Sequence, residues 1–249
     1  MQKIISFLVL MLSGTFFSLA AQGAITAPAD VAEKITANYI GIKSYSVVIN
    51  FDDQDLSLRI WQQSGFWRQE WVSDSSGREK VSAVAVGKEG SSILSYGVSQ
   101  AAAPLTSIIF KKMAWWENRG LQPQQQSYHF FHGRPSLVMG MAGAEDPKPH
   151  LWIDNEDMVI LRMVFSDMKK LHDLAWLEYR NVGNYKLPHK LVIDSEDFDM
   201  TCNVEWRDIN SEYSRELFSP DILRQSFSNA KLDPPELIVD YYHALETVF

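Results

Sequence analysis

The chain of 249 residues is acidic, with 23 lysine and arginine residues, 31 aspartate and glutamate residues and a formal net charge of −8. This balance argues against binding to nucleic acid and against attraction to anionic membrane surfaces. Cys202 is the single cysteine, so an internal disulfide is excluded and stability must come from the core.

The first residues have the pattern of a cleavable signal peptide. Lys3 precedes an apolar run from Ile4 to Leu12, and small residues follow up to a cleavage site after about Ala20. The run is too short to remain in a bilayer as a helix. We therefore predict that residues 1–20 are removed on export and that residues 21–249 form one domain in the periplasm.

A short amphipathic helix is predicted at the start of the domain, with Asp30 as its N-cap and apolar residues at three- and four-residue spacing. From Ser44 the period changes to two, and β-rich segments alternate with acidic or glycine-bearing turns, which predicts an antiparallel meander. The predicted strands of the first half are 44–51, 56–62, 66–73, 80–86 and 92–96.

The middle of the chain predicts a helix between Pro104 and Gly120, because apolar residues recur there at helical spacing and Asn118-Arg119-Gly120 is a helix stop. Pro234-Pro235 opens the last predicted helix. The remaining predicted elements are strands 127–131, 136–141, 150–154, 159–165, 175–182, 189–194 and 201–209, and helices 220–225 and 236–249.

Both faces of the second and third strands carry bulky apolar side chains. Leu58 and Ile60 lie on one face of the second strand, and Arg59 and Trp61 lie on the other. Such a sheet is either covered on both sides or has one side that forms a concave apolar pocket. The eight tryptophans of the chain can accordingly fill an ordinary core or line a cavity for an acyl chain.

Several short segments, taken in their order, resemble the LolA-type outer-membrane lipoprotein-sorting family. Each segment is degenerate, so the resemblance depends on their order along nearly the whole mature chain. The segments are Tyr39 to Tyr45 (YIGIKSY), Gly65-Phe66-Trp67-Arg68, Leu151-Trp152-Ile153-Asp154, Tyr185-Lys186-Leu187-Pro188, Ile209-Asn210 and Leu217-Phe218.

The resemblance implies a fold that is mainly β, of the α+β class: a curved antiparallel sheet that forms an incomplete β-barrel, with helices covering its cavity. It implies a binding protein rather than an enzyme, and it places an aromatic side chain of the cavity at Trp67. By alternation, Trp61 and Trp71 are predicted to face the same cavity, and Arg59 and Gln63 complete the predicted ligand-binding set. Carriers of the family have an Arg-Pro pair at this turn to latch the lid, whereas Gln63-Ser64 stands here.

The predicted function is that of a periplasmic carrier or binding protein for lipoprotein acyl chains or other lipids, acting as a monomer without cofactor or metal. His129 and His132 do not predict a metal site, because their spacing sends them to opposite faces of a strand. The alternative function is a sensor or adaptor that binds a lipoprotein or a membrane-protein partner.

Overall fold

A computed structural model describes residues 27–51, 54–75, 77–89, 93–141, 148–167, 170–195 and 198–245. The predicted signal peptide and the end of the last predicted helix lie outside these residues. Within them, no helix is both long enough and apolar enough to cross a membrane.

Fourteen strands make up about half of the described residues. They are β1 (Ser44–Phe51), β2 (Leu56–Gln63), β3 (Phe66–Ser75), β4 (Arg78–Lys88), β5 (Leu94–Tyr96), β6 (Gln126–Phe131), β7 (Arg134–Gly140), β8 (His150–Asp154), β9 (Ile160–Asp167), β10 (Lys170–Leu177), β11 (Arg180–Val182), β12 (Tyr185–Leu187), β13 (Lys190–Ser195) and β14 (Phe198–Ile209).

Twelve of these strands form one curved antiparallel sheet in the order β5–β4–β3–β2–β1–β14–β13–β10–β9–β8–β7–β6, while β11 and β12 form a separate hairpin. Pairing of β1 with β14 joins the two meanders that make up the sheet. The edge strands β5 and β6 do not pair with each other, so the sheet is not closed. The predicted fold class is confirmed, and the barrel is incomplete.

Six helical elements accompany the sheet within the described part of the chain. They are α1 (Pro28–Ala37), a first 3₁₀ helix (Leu105–Phe110), α2 (Met113–Glu117), a second 3₁₀ helix (Arg215–Phe218), α3 (Pro220–Phe227) and α4 (Glu236–Leu245).

Three local predictions are wrong. Helix α1 begins at Pro28, which suits the first helical position, so Asp30 lies in the first turn and is not the N-cap. The predicted helix 104–120 is two short helices, because the backbone is extended at Lys111 and Lys112. The predicted strand 175–182 is divided between β10 and β11, because Glu178 has a positive φ of 54°.

One face of the sheet, here called the covered face, lies under α1, the first 3₁₀ helix and α4. Residues of all three elements belong to one buried hydrophobic cluster with the strands. Towards its centre, the ring of Trp71 on β3 contacts Phe51, Tyr241 and Tyr242, with centroid distances of 5.0, 5.0 and 6.0 Å. The opposite, open face is covered in part by α3, whose Leu223 packs on β4.

The contact between Trp71 and Tyr242 also has a polar component, because the indole Nε1 of Trp71 donates a hydrogen bond of 3.0 Å to the hydroxyl of Tyr242. We predict that Tyr242→Phe lowers the free energy of unfolding by about 1–3 kcal/mol, since it leaves a buried N–H without an acceptor. Urea denaturation measures the change. Tyr128→Phe is the matched control, because Tyr128 is exposed and the same atom is removed; equal stability of the two variants would contradict the prediction.

Candidate functional site

A cleft of about 430 Å³, lined by apolar and polar side chains, opens at one end of the covered face, between the end of α1 and the first 3₁₀ helix. Its size falls within the range of small-molecule sites in proteins. The residues that line it are Ile35, Thr36, Tyr39, Ile40, Ile42, Lys43, Tyr45, Gln62, Ser64, Gly65, Ile109, Phe110, Lys111 and Lys112.

Aromatic rings form the inner wall of the cleft. The ring of Phe110 lies 5.3 Å from that of Tyr39 and 5.4 Å from that of Tyr45, and Tyr45 contacts Trp206 at 5.3 Å. The hydroxyl of Tyr45 donates to Oε1 of Gln62 and lies 3.2 Å from the hydroxyl of Thr106. Since these contacts satisfy its one polar atom, the ring can present an apolar surface.

Both tyrosines of this wall are uncharged at physiological pH, and burial disfavours their ionisation further. Removal from solvent raises the pKa of Tyr39 and of Tyr45 far above the ordinary value of a phenol. A hydrogen bond with Tyr179 opposes the rise for Tyr39, and one with Thr106 opposes it for Tyr45, but burial dominates. The inner wall is therefore neutral throughout the physiological pH range.

Three lysines stand at the rim of the cleft. Lys43 and Lys112 are exposed, and Lys111 forms an ion pair with Glu89. Ile40 is 79% exposed beside them, although it is a large apolar residue. The cleft thus combines a neutral aromatic interior with a cationic rim, which suits an anionic amphiphile whose chain is apolar and whose head is charged.

The end of α1 is fixed in place by a polar clamp. The side-chain amide of Asn38 donates hydrogen bonds of 3.0 Å to the carbonyls of Asp157 and Met158, in the turn between β8 and β9. The carboxylate of Asp157 accepts from Arg134 at 2.7 Å and also from Lys186. This clamp positions the wall that α1 contributes to the cleft.

Trp67 and Trp71 lie buried on the covered face and do not line the cleft, although Gln62, the cross-strand partner of Trp67, does. Trp71 is under α4, and Trp67 packs against Gly87 on the neighbouring strand. A Cβ at Gly87 would lie 2.4 Å from the Trp67 ring, so the ring requires glycine at that position. Neither indole faces open space in this conformation.

Arg59, Trp61 and Gln63 lie on the open face, so the prediction that Trp61 shares a cavity with Trp67 and Trp71 is wrong. The register pairs Trp61 with Arg68, whereas Trp71 pairs with Leu58 on the opposite face. Arg59 forms an ion pair of 2.5 Å with Glu79, and Gln63 exchanges two hydrogen bonds with the backbone of Tyr213.

No protein-family model matches the chain, and no curated protein matches it. Similar solved structures include a LolA superfamily protein, NE2245, from Nitrosomonas europaea, which is 13% identical with a TM-score of 0.47 over 80% of this chain and 99% of that one. Another is LprF from Mycobacterium bovis, which is 10% identical with a TM-score of 0.25 over 75% of this chain and 94% of that one. At these values, function has to be argued from the residues of this chain.

None of the three residues of the inner wall, Tyr39, Tyr45 and Phe110, belongs to the predicted binding set. Tyr45 lies within the segment Tyr39 to Tyr45 that carries the family resemblance, so a signal for it was present in the sequence. Phe110 directly precedes the backbone break at Lys111, which helical spacing alone does not reveal.

The clamp gives a prediction for the pH dependence of stability. Burial raises the pKa of the Asp157 carboxyl, but the hydrogen bonds and charges of Lys186 and Arg134 outweigh burial and hold this pKa below its ordinary value. A lowered pKa in the folded state means that the carboxylate stabilises the fold above the unfolded-state pKa and loses this effect as the pH falls through the folded-state pKa.

Asp157→Asn is therefore expected to lower the free energy of unfolding at pH 7, and the difference from the wild type should shrink as the pH falls below about 4. Denaturant titrations across this range measure the difference. Asp221→Asn is the control, because Asp221 is in an exposed pair with Arg224, which contributes little. A difference for Asp157→Asn that is constant with pH would refute the prediction.

Proposed function

We propose that the protein is a periplasmic binding protein or carrier for acyl chains of lipoproteins or other lipids, and that the chain enters the cleft between α1 and the first 3₁₀ helix. The observation that carries the proposal is the cleft itself, with an inner wall formed by Tyr39, Tyr45 and Phe110 and with lysines at its rim. The resemblance of the sequence to LolA-type carriers supports it, as does the export signal predicted in residues 1–20.

The energetics of an acyl chain favour such a cleft over an open surface. Each buried methylene contributes about 0.8 kcal/mol, so a chain of about 14 carbons gains of order 10 kcal/mol when it leaves water completely. The described cleft accommodates the first part of such a chain. A longer chain needs space beneath the helices, where Trp67 and Trp71 now lie packed.

The C-terminal helix α4 is the element whose displacement would provide that space. Its residues Tyr241 and Tyr242 fill the region above Trp71, and the hydroxyl of Tyr241 is buried without a hydrogen-bond partner among the described protein groups. A buried polar group of this kind weakens the packing. In this proposal, α4 moves aside and the far end of the chain contacts Trp71 and Trp67.

A sensor or adaptor that binds a lipoprotein or membrane-protein partner is the second candidate function. It is favoured by the edge strand β6, where Tyr128 and Phe130 are exposed. An edge strand offers unpaired backbone groups that a second protein can bind. Affinity purification from the native periplasm separates the two functions, because a carrier should retain many lipoproteins and a sensor one dominant partner.

Binding of a fluorescent fatty acid to the mature protein tests the proposed site. Thr36 lines the cleft from α1, and Thr36→Trp is expected to fill the cleft and weaken binding about tenfold or more, or by about 1.4 kcal/mol. Ala37→Trp, one residue along the same helix, is the control, because Ala37 is exposed and does not line the cleft.

Two results would reject the proposal. One is a folded Thr36→Trp variant that binds the fluorescent fatty acid as tightly as the wild type, because the cleft would then not be the binding site. The other is an absence of any amphiphile in mass spectra of gently prepared protein, combined with an absence of probe binding to the wild type.

A further inference from the structure

The turn between β2 and β3, Ser64–Gly65, separates the cleft from two apolar hollows. These hollows lie on the open face, at the same end of the molecule as the cleft. One hollow, of about 520 Å³, is lined by Phe66, Arg215 and Phe218, among others. The second, of about 330 Å³, lies beyond Phe66 and is shared with Lys88, Ile93 and Arg224. Apolar concavities therefore lie on both sides of one hairpin turn.

Backbone hydrogen bonds show that the two sides are continuous. The N–H of Ser64 donates to the carbonyl of Lys43 at 3.2 Å, and the N–H of Glu89 donates to the carbonyl of Gly65 at 2.9 Å. The segment at Lys43, on the rim of the cleft, and the segment at Glu89 are therefore both hydrogen-bonded to this turn. We call this end of the molecule the turn end, consisting of Ile40, Lys43, Ser64–Phe66, Lys88, Glu89, Ile93, Lys111, Lys112, Arg215 and Arg224.

Large apolar side chains protrude from the turn end on both sides of the hairpin. Ile40 is 79% exposed, Phe66 is 41% exposed and Ile93 is 38% exposed. The ring of Phe66 rests on Phe218 at a centroid distance of 6.4 Å, and Nζ of Lys88 lies 5.0 Å from the centre of the same ring. Their exposure costs solvation free energy that the fold does not recover.

Cations surround these apolar side chains. They are Lys43, Lys88, Lys111, Lys112, Arg215 and Arg224. Glu89 and Asp221 form ion pairs with Lys111 and Arg224, and Glu216 lies in the second 3₁₀ helix, so cations outnumber anions among the described residues at the turn end. The whole chain has a net charge of −8, so the positive charge of the turn end arises because the fold brings cations from separate segments together.

We propose that the turn end docks on the surface of a bilayer that contains anionic phospholipid. The exposed Ile40, Phe66 and Ile93 would enter the interfacial region, and the flexible lysine and arginine side chains would reach the lipid phosphates around them. The net negative charge does not prevent this contact, because screening at physiological ionic strength confines the interaction to about 8 Å and the nearest charges dominate.

A bilayer fits the turn end better than a protein partner does. The apolar side chains protrude at separate points on both sides of a turn, and the cations are distributed around them on long, flexible stems. A fluid surface can meet such points without a complementary shape. Docking does not require that the cleft hold an acyl chain, although it would place the mouth of the cleft at the membrane.

Flotation with phosphatidylcholine vesicles, with and without phosphatidylglycerol, tests the proposal on the mature protein. We expect binding to the anionic vesicles, weak or no binding to the neutral ones, and loss of binding in about 1 M salt, where the Debye length is about 3 Å. Two variants should each weaken vesicle binding about tenfold. One carries both Lys88→Gln and Arg215→Gln, and the other carries Phe66→Ser alone.

These substitutions lie outside the cleft, so the experiment can reject membrane docking without rejecting fatty-acid binding in the cleft, and the reverse. If the variants lose vesicle binding and keep fatty-acid binding, docking is supported independently of the cargo. The matched control combines Arg180→Gln, Arg207→Gln and Phe130→Ser, which remove exposed cations and an exposed aromatic ring elsewhere, and it should bind vesicles like the wild type.

Three results would overturn docking: equal binding to neutral and anionic vesicles, variants that bind like the wild type, or a wild type that does not bind vesicles at all. Light scattering tests the alternative that a second copy of this chain, and not a bilayer, binds the turn end. A dimer that Phe66→Ser dissociates, in a protein that does not bind vesicles, would assign the turn end to self-association and reject the bilayer.

Discussion

The packing of α4 onto Trp71 is the contact on which the covered face depends. The twelve-stranded sheet does not close on itself, because β5 and β6 are not paired with each other, so helices have to keep water from the apolar side chains of its inner face. Helix α4 does this at Trp71 with two tyrosines and one hydrogen bond. The same arrangement decides where an apolar ligand can enter.

The covered face is consequently divided into a filled part and an open part. Around Trp71, aromatic rings leave no space for a ligand while α4 is in place. Between α1 and the first 3₁₀ helix, the short helices meet without filling the gap, and Tyr39, Tyr45 and Phe110 are left as the wall of a cleft. The polar clamp at Asn38 and Asp157 matters for the site because it fixes the position of α1, which carries part of that wall.

The sequence predicted the strands well because alternation and turn residues are local signals. The bounds of β1 and β8 agree with the predicted segments 44–51 and 150–154, and most other strands differ by a few residues. The meander predicted for the first half also agrees with the observed order of β1 to β5 in the sheet. By contrast, the small hairpin strand β12 was not predicted, because three residues are too few to establish a period.

The assignment of side chains to faces was less successful, and the reason is the register of one hairpin. A two-residue turn at Ser64–Gly65 pairs Gln63 with Phe66, and therefore Trp61 with Arg68. Since side chains alternate along a strand, Trp61 and Trp67 must then lie on opposite faces. The spacing of this turn is visible in the sequence, but the prediction extends from Trp67 to Trp61 and Trp71 by alternation without applying this register across the turn.

The distribution of charge could not be predicted in the same way, because composition gives a sum and the fold decides the positions. Lys43, Lys88 and Lys112 are far apart in sequence, and they are brought to one end by the return of β2 into β3 and by the short helices that follow β5. The net charge of −8 indicates how the whole molecule behaves at long range. A surface that comes within a Debye length meets the local charge instead, and at the turn end that charge is positive, beside apolar side chains and the mouth of the cleft.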